Sequence, residues 1–141
     1  GKRKGEMLEI FYTPLTELPI KINKEVIPIY ESLVGYVLFL KKVKLLDANA
    51  KLMPLFFEQV LNALVYELYF PNLLKKYNRE ISKYLGELPV LKDNMSSESK
   101  MNICRNVFER LDDKHHPVRT NLFYMDSIPE IKIIEGTNEN Y

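Results

Sequence analysis

A chain of 141 residues is long enough for one domain that buries roughly 68–70% of its unfolded surface, so a core can form without staples. Twenty basic residues face nineteen acidic ones, a formal net charge of +1, which excludes a global field strong enough to drive binding to nucleic acid or an anionic membrane. The single cysteine, Cys104, excludes an internal disulfide.

The start, Gly1-Lys2-Arg3-Lys4-Gly5, runs into a mixed segment instead of an apolar secretory core, and with the lone thiol it makes the expected address cytoplasmic. Gly1, in place of an initiator Met, points to a piece of a longer protein. Residues 6–22 read as extended, because Pro14 and Pro19 remove backbone donors and Ile20 and Ile22 alternate with Lys21.

A first helix is expected from Pro28 to Lys44, with Pro28 in its opening turn and Lys41, Lys42 and Lys44 near its negative end. A second should run from Lys51 to Phe70 and stop at Pro71, with Phe56, Val60, Leu64 and Leu68 at helical spacing and a narrow polar stripe of Glu58, Gln59 and Asn62. About six residues around Asp47 to Ala50 join them, a length suited to an αα-hairpin. Glu31 interrupts the first helix, and Glu58, Gln59, Asn62 and Glu67 the second, so neither is a membrane span. Both are apolar around more of their circumference than one partner can cover.

A third helix, Asn72 to Leu85, should turn Leu73, Leu74, Tyr77, Ile81 and Tyr84 or Leu85 inward and Lys75, Lys76, Arg79 and Lys83 outward, with Gly86 ending it. A serine-capped connection, Asp93 to Ser99, leads into a helix from Glu98 to Leu111, and Pro117 opens a short one through Tyr124. Ile131-Lys132-Ile133-Ile134 reads as a short strand before a fraying tail. The expected fold is therefore mainly α, a bundle of four to five helices built on an αα-hairpin. Residues 1–24 would be an extended lead-in, 25–125 the bundle and 126–141 an extended, strand-like tail, all within one domain.

Asp112, Asp113, His115 and His116 have metal-ligand side chains, but adjacent histidines project differently and Pro117 marks a turn, so no metal site is expected. Phosphate contact by His115, His116 or Arg119 is weighted similarly. Cys104 shares an apolar face with Met101, Val107 and Phe108, which makes it a small buried hydrophobe rather than a nucleophile. The aromatics from Phe56 to Tyr84 follow helical faces and read as core rather than as base-stacking platforms. For phosphate contacts the best candidates are Lys75, Lys76, Arg79 and Lys83, with Arg119 a further one. Phosphate loops, GxSxG elbows, HExxH and CxxC patterns are absent, so no catalytic residues are assigned.

The runs Ile29-Tyr30-Glu31-Ser32-Leu33-Val34, Leu38-Phe39-Leu40-Lys41-Lys42 and Ala63-Leu64-Val65-Tyr66-Glu67-Leu68-Tyr69 resemble the end of adenine-specific restriction-modification DNA methyltransferases, including fused restriction-methylase polypeptides, with a TaqI-like C-terminal specificity region. His116-Pro117-Val118-Arg119, Met125-Asp126-Ser127-Ile128 and Ile131 to Gly136 extend the resemblance over most of the chain. One departure is Phe70-Pro71-Asn72 where Gly-Leu-Thr commonly ends the second helix, which marks a longer-tailed subgroup.

The family's Asn-Pro-Pro-Tyr motif and its glycine-rich loop for S-adenosylmethionine are not in this sequence. The resemblance thus implies a non-catalytic C-terminal region that needs no cofactor itself. S-adenosylmethionine, methyl transfer and any endonuclease activity belong to the implied parent. The expected partners are the parent's N-terminal domains and DNA, with homodimerisation open and no membrane contact. A rival expectation is a helical protein–protein interaction or dimerisation module without nucleic acid; a stand-alone enzyme using Cys104 or the two histidines is third.

Overall fold

Every residue from Val60 to Tyr66 is buried. Seven consecutive residues turn through all directions of an α-helix, so this segment is covered on every side. It lies in α2 (Ala48–Tyr69), the second of six helices in the computed structural model, which describes residues 25–43 and 48–139. The others are α1 (Ile27–Lys42), α3 (Pro71–Lys76), α4 (Ser97–Leu111), α5 (Pro117–Met125) and α6 (Pro129–Glu139), with a short 3-10 turn at Ser82–Tyr84. The described residues contain no strand, and no helix among them is long and apolar enough to cross a membrane. The extended segment expected at 6–22 lies outside the described residues.

α1 and α2 form the expected hairpin. Leu33, Tyr36, Val37 and Leu40 of α1 and Met53, Phe57, Leu61 and Leu64 of α2 are all but fully buried, each side chain contributing about 1.5–3 kcal/mol. The Tyr36 and Phe57 rings meet 5.2 Å apart, and Tyr30 donates its hydroxyl to the Leu64 carbonyl at 3.3 Å. On the surface Lys41 pairs with Glu58 at 2.6 Å. α2 begins earlier than expected, so Ala48 to Ala50 belong to it and Pro54 sits inside the helix. α3, α4 and α5 complete the cover around α2, with Phe56 edge-on to Phe108 of α4 at 5.3 Å.

The third helix is shorter than the apolar spacing predicts. α3 stops at Lys76, and Asn78 takes a left-handed conformation with φ 56°, which Asn tolerates better than most side chains. A carboxylate from the neighbouring helix decides the path beyond. Glu67 of α2 accepts the backbone N–H of Ile81 at 2.7 Å and of Ser82 at 3.3 Å, and the chain re-enters as the 3-10 turn. Leu74, Ile81 and Leu85 still point inward and are fully buried, so the expected inward face survives the break in the helix.

The irregular segment after the turn is clamped from two sides. Ser32 donates to the Leu88 carbonyl at 3.0 Å and Tyr36 donates to that of Pro89. Arg110 of α4 donates to the carbonyls of Leu85 at 2.6 Å and Glu87 at 2.5 Å. Gly86 is suited to its place twice over: its φ is +65°, and a Cβ there would sit 2.9 Å from the Arg110 guanidinium that those two bonds hold.

α4 and α5 match expectation closely. Ser96 caps α4 by accepting the Ser99 N–H at 3.1 Å, and α5 begins at Pro117 with His116 as its cap. The strand expected at Ile131 to Ile134 is instead part of α6, so the tail is helical as far as Glu139, and six helices lie among the described residues where four to five were expected. Burial explains the change: Ile128 and Ile131 are 2% and 0% exposed while Ile133 is 70% exposed, a helical rather than an alternating pattern. A lone strand here would also have no neighbour to satisfy its backbone groups.

Replacing Glu67 by Leu strands two backbone donors at the α3 break. This substitution should cost about 2 kcal/mol, read as a lower urea midpoint at unchanged slope.

Candidate functional site

The five predicted phosphate contacts do not share one surface role. Lys75 and Lys76 are exposed in the last turn of α3, Lys76 with its ammonium 5.3 Å from the centre of the Tyr77 ring. Lys83 is exposed on the 3-10 turn and pairs with Glu80 at 3.4 Å, a contact that raises its pKa. Arg79 is committed to the fold: it donates to Asn121 Oδ1 at 3.2 Å and its guanidinium lies 4.8 Å from the centre of the Tyr124 ring. Asn121, buried in α5, in turn donates to the Glu80 carbonyl at 2.7 Å. Arg119 donates to the Asp112 carbonyl at 2.9 Å and approaches its carboxylate at 3.9 Å, holding the start of α5 to the end of α4. The helix break at Asn78 is what separates the lysines of α3 from Arg79.

The histidine cluster is a turn and a cap. Asp113 accepts the His115 backbone N–H at 2.8 Å, and His116 Nδ1 accepts the Val118 N–H at 3.1 Å. Burial and the nearby Arg110 lower the His116 pKa against the opposing pull of Asp113, which keeps its ring neutral and able to accept. Among the described residues no group of three or more His, Cys, Asp or Glu side chains could hold a metal ion. Cys104 is fully buried, and burial pushes its thiol up to about 12, far from thiolate chemistry at neutral pH.

The feature that stands out is a cleft of about 420 Å³ between α2, α5 and α6. Gln59, Asn62, Ala63 and Tyr66 of α2 line one side, spaced three, four and seven residues from Gln59 and therefore on one helical face. Arg119, Leu122 and Phe123 of α5 line another, joined by Asp112, Asp126 and Glu135. Three carboxylates against one guanidinium give the lining a formal charge of −2. Tyr66 donates its hydroxyl to Glu135 at 3.1 Å and so ties α6 to α2. Phe123 stands at the cleft 76% exposed, edge-on to Tyr124 at 4.9 Å.

Asn62 is the polar member of the buried α2 run, 9% exposed, and its Oδ1 has no hydrogen-bond partner. A buried acceptor left unpaired costs about 1–3 kcal/mol, so this position is held against stability. Sequence reasoning marked Gln59 and Asn62 as a polar stripe but did not assign them a site. The signal was there: an amide in the middle of an otherwise apolar helix that other elements must cover. Asp126 and Glu135, which line the same cleft, lie more than sixty residues away in the chain and share no local pattern with it.

Asn62→Leu removes the unpaired acceptor at nearly constant volume. It is expected to raise stability by about 1 kcal/mol, measured as a higher urea midpoint. Compared with known proteins, the chain matches no family model, no curated protein and no solved structure.

Proposed function

We propose that this chain is the non-catalytic C-terminal helical region of an adenine-specific restriction-modification DNA methyltransferase, supporting DNA target recognition while packing against the rest of the parent enzyme. The observation that carries the reading is the use made of the polar residues in the resembling runs. Tyr30 and Ser32 bond to backbone carbonyls of α2 and of the clamped segment, Tyr66 to Glu135, Glu67 to the 3-10 turn, His116 to its own helix start and Arg119 to Asp112. Side chains that bond the chain to itself suit a supporting module, with methyl transfer and S-adenosylmethionine assigned to the parent.

Exposed Lys75, Lys76 and Lys83 supply the contact to the phosphate backbone in this reading, whereas Arg79 and Arg119 position the elements that carry or flank them. Leu38, Leu52 and Leu55 are 43%, 52% and 58% exposed near the connected end of the hairpin, and they offer the surface against which parent domains pack.

A lysine that neutralises one phosphate contributes about 0.9 to the log–log salt dependence of duplex binding. The chain with Lys75, Lys76 and Lys83 all changed to Ala is therefore expected to bind duplex DNA more weakly, with that slope reduced by about 2.7. An unchanged slope would remove the direct DNA contact and leave the supporting role.

The same exposed leucines favour a second reading, a helical interaction or dimerisation module without nucleic acid. Sedimentation over a hundredfold concentration range distinguishes it. A monomer throughout argues against self-association, and a dimer lost on Leu52→Lys with Leu55→Lys argues for it.

A further inference from the structure

The Asn62 amide lines a cleft that neither reading uses. It is nine-tenths buried, and its Oδ1 meets no hydrogen-bond donor. The charged side chains around it are already engaged within the chain. Arg119 donates to the Asp112 carbonyl and approaches its carboxylate, Glu135 accepts the Tyr66 hydroxyl, and Asp126 has interactions of its own. An ion entering the cleft would compete with these contacts, whereas an uncharged donor need only meet the amide. The demand is for a neutral ligand.

A carboxamide presents an oxygen acceptor and an NH2 donor side by side. Its terminal torsion is broad, so a half turn of the side chain exchanges the two. The group that satisfies both in either sense is a second carboxamide, whose N–H and C=O pair with those of Asn62 in a ring of two hydrogen bonds. A ketone or a tertiary amide lacks the donor that Oδ1 requires. Apolar surface accompanies the amide: Ala63 of α2 and Leu122 of α5 line the same cleft, and the Phe123 ring stands there largely exposed. An exposed ring favours a flat aromatic body on the ligand, which can stack on it offset or edge-on. The volume, about 420 Å³, falls at the small end of the roughly 300–1,000 Å³ typical of ligand pockets and suits a molecule of one ring.

We propose that this cleft binds a neutral aromatic carboxamide, its N–H donating to Asn62 Oδ1, its carbonyl accepting from Asn62 Nδ2 and its ring lying against Phe123. The inference is independent of the DNA-methyltransferase reading and stands or falls on the cleft alone.

The test is a titration of the full chain with benzamide, followed by the backbone amide NMR resonances of Ala63 and Leu122, beside N,N-dimethylbenzamide, benzoate, benzamidinium and propionamide. Saturable shifts with benzamide are expected, with the dimethyl compound, which has no donor, and the two ions each bound at least about tenfold more weakly. Propionamide keeps the carboxamide without the ring and should bind at least about threefold more weakly. Asn62→Leu should abolish the saturable shifts while the protein remains folded. Phe123→Ala, at a largely exposed position, should weaken benzamide binding at least about threefold and serves if the first variant misfolds. No saturable shift with benzamide, any of the four comparison compounds binding as tightly as benzamide, or undiminished binding by the variants would overturn the assignment.

Discussion

The structure depends on enclosing α2. A helix buried on all sides at its centre has no stable existence until several other elements close around it, because each exposed Leu, Val or Phe forfeits its burial energy. α1 answers this locally, as the antiparallel arm of the hairpin. The remaining sides are covered by segments from later in the chain, which polar contacts among the described residues hold in place.

Those contacts share a form: a side chain on one element bonds to backbone or to a single side chain on another. Glu67 redirects the chain after α3, Arg110, Ser32 and Tyr36 hold the stretch that follows, Asn121 and Arg79 fasten α5 to it, and Tyr66 secures α6. Each satisfies groups that burial would otherwise leave unpaired, so their worth lies as much in the penalty avoided as in the bond formed. The Tyr30 and Tyr36 hydroxyls illustrate the outcome: burial raises the pKa of both, and as neutral donors they serve carbonyls throughout the ordinary pH range.

Among the described residues, Asn62 is the exception to this consistent use of polar groups. It interrupts the buried run of α2, its oxygen meets no donor, and it opens onto a cleft whose lining includes Asp112, Asp126 and Glu135. Proteins tend to keep such departures from local consistency where a ligand or partner supplies the missing interaction. Two of the five predicted basic residues, Arg79 and Arg119, are engaged within the chain, since the fold brings Asn121, Tyr124 and Asp112 within their reach.

Periodicity and caps were enough to place α1, α2, α4 and α5 within a few residues, to pair the first two, and to bury Cys104, because those features arise from contacts within a few residues along the chain. The break after Lys76 was beyond such reasoning: the apolar spacing continues through Ile81 and Leu85, and the turn is held by Glu67, fourteen residues before Ile81. The helical form of Ile131 to Ile134 was equally undecided, since a short β-branched run suits a strand until a one-sided pattern of burial is imposed on it. The cleft is wholly a product of tertiary structure. Its amide, its carboxylates and its aromatic ring come from three helices and the turns beside them, and no spacing along the chain records that they meet.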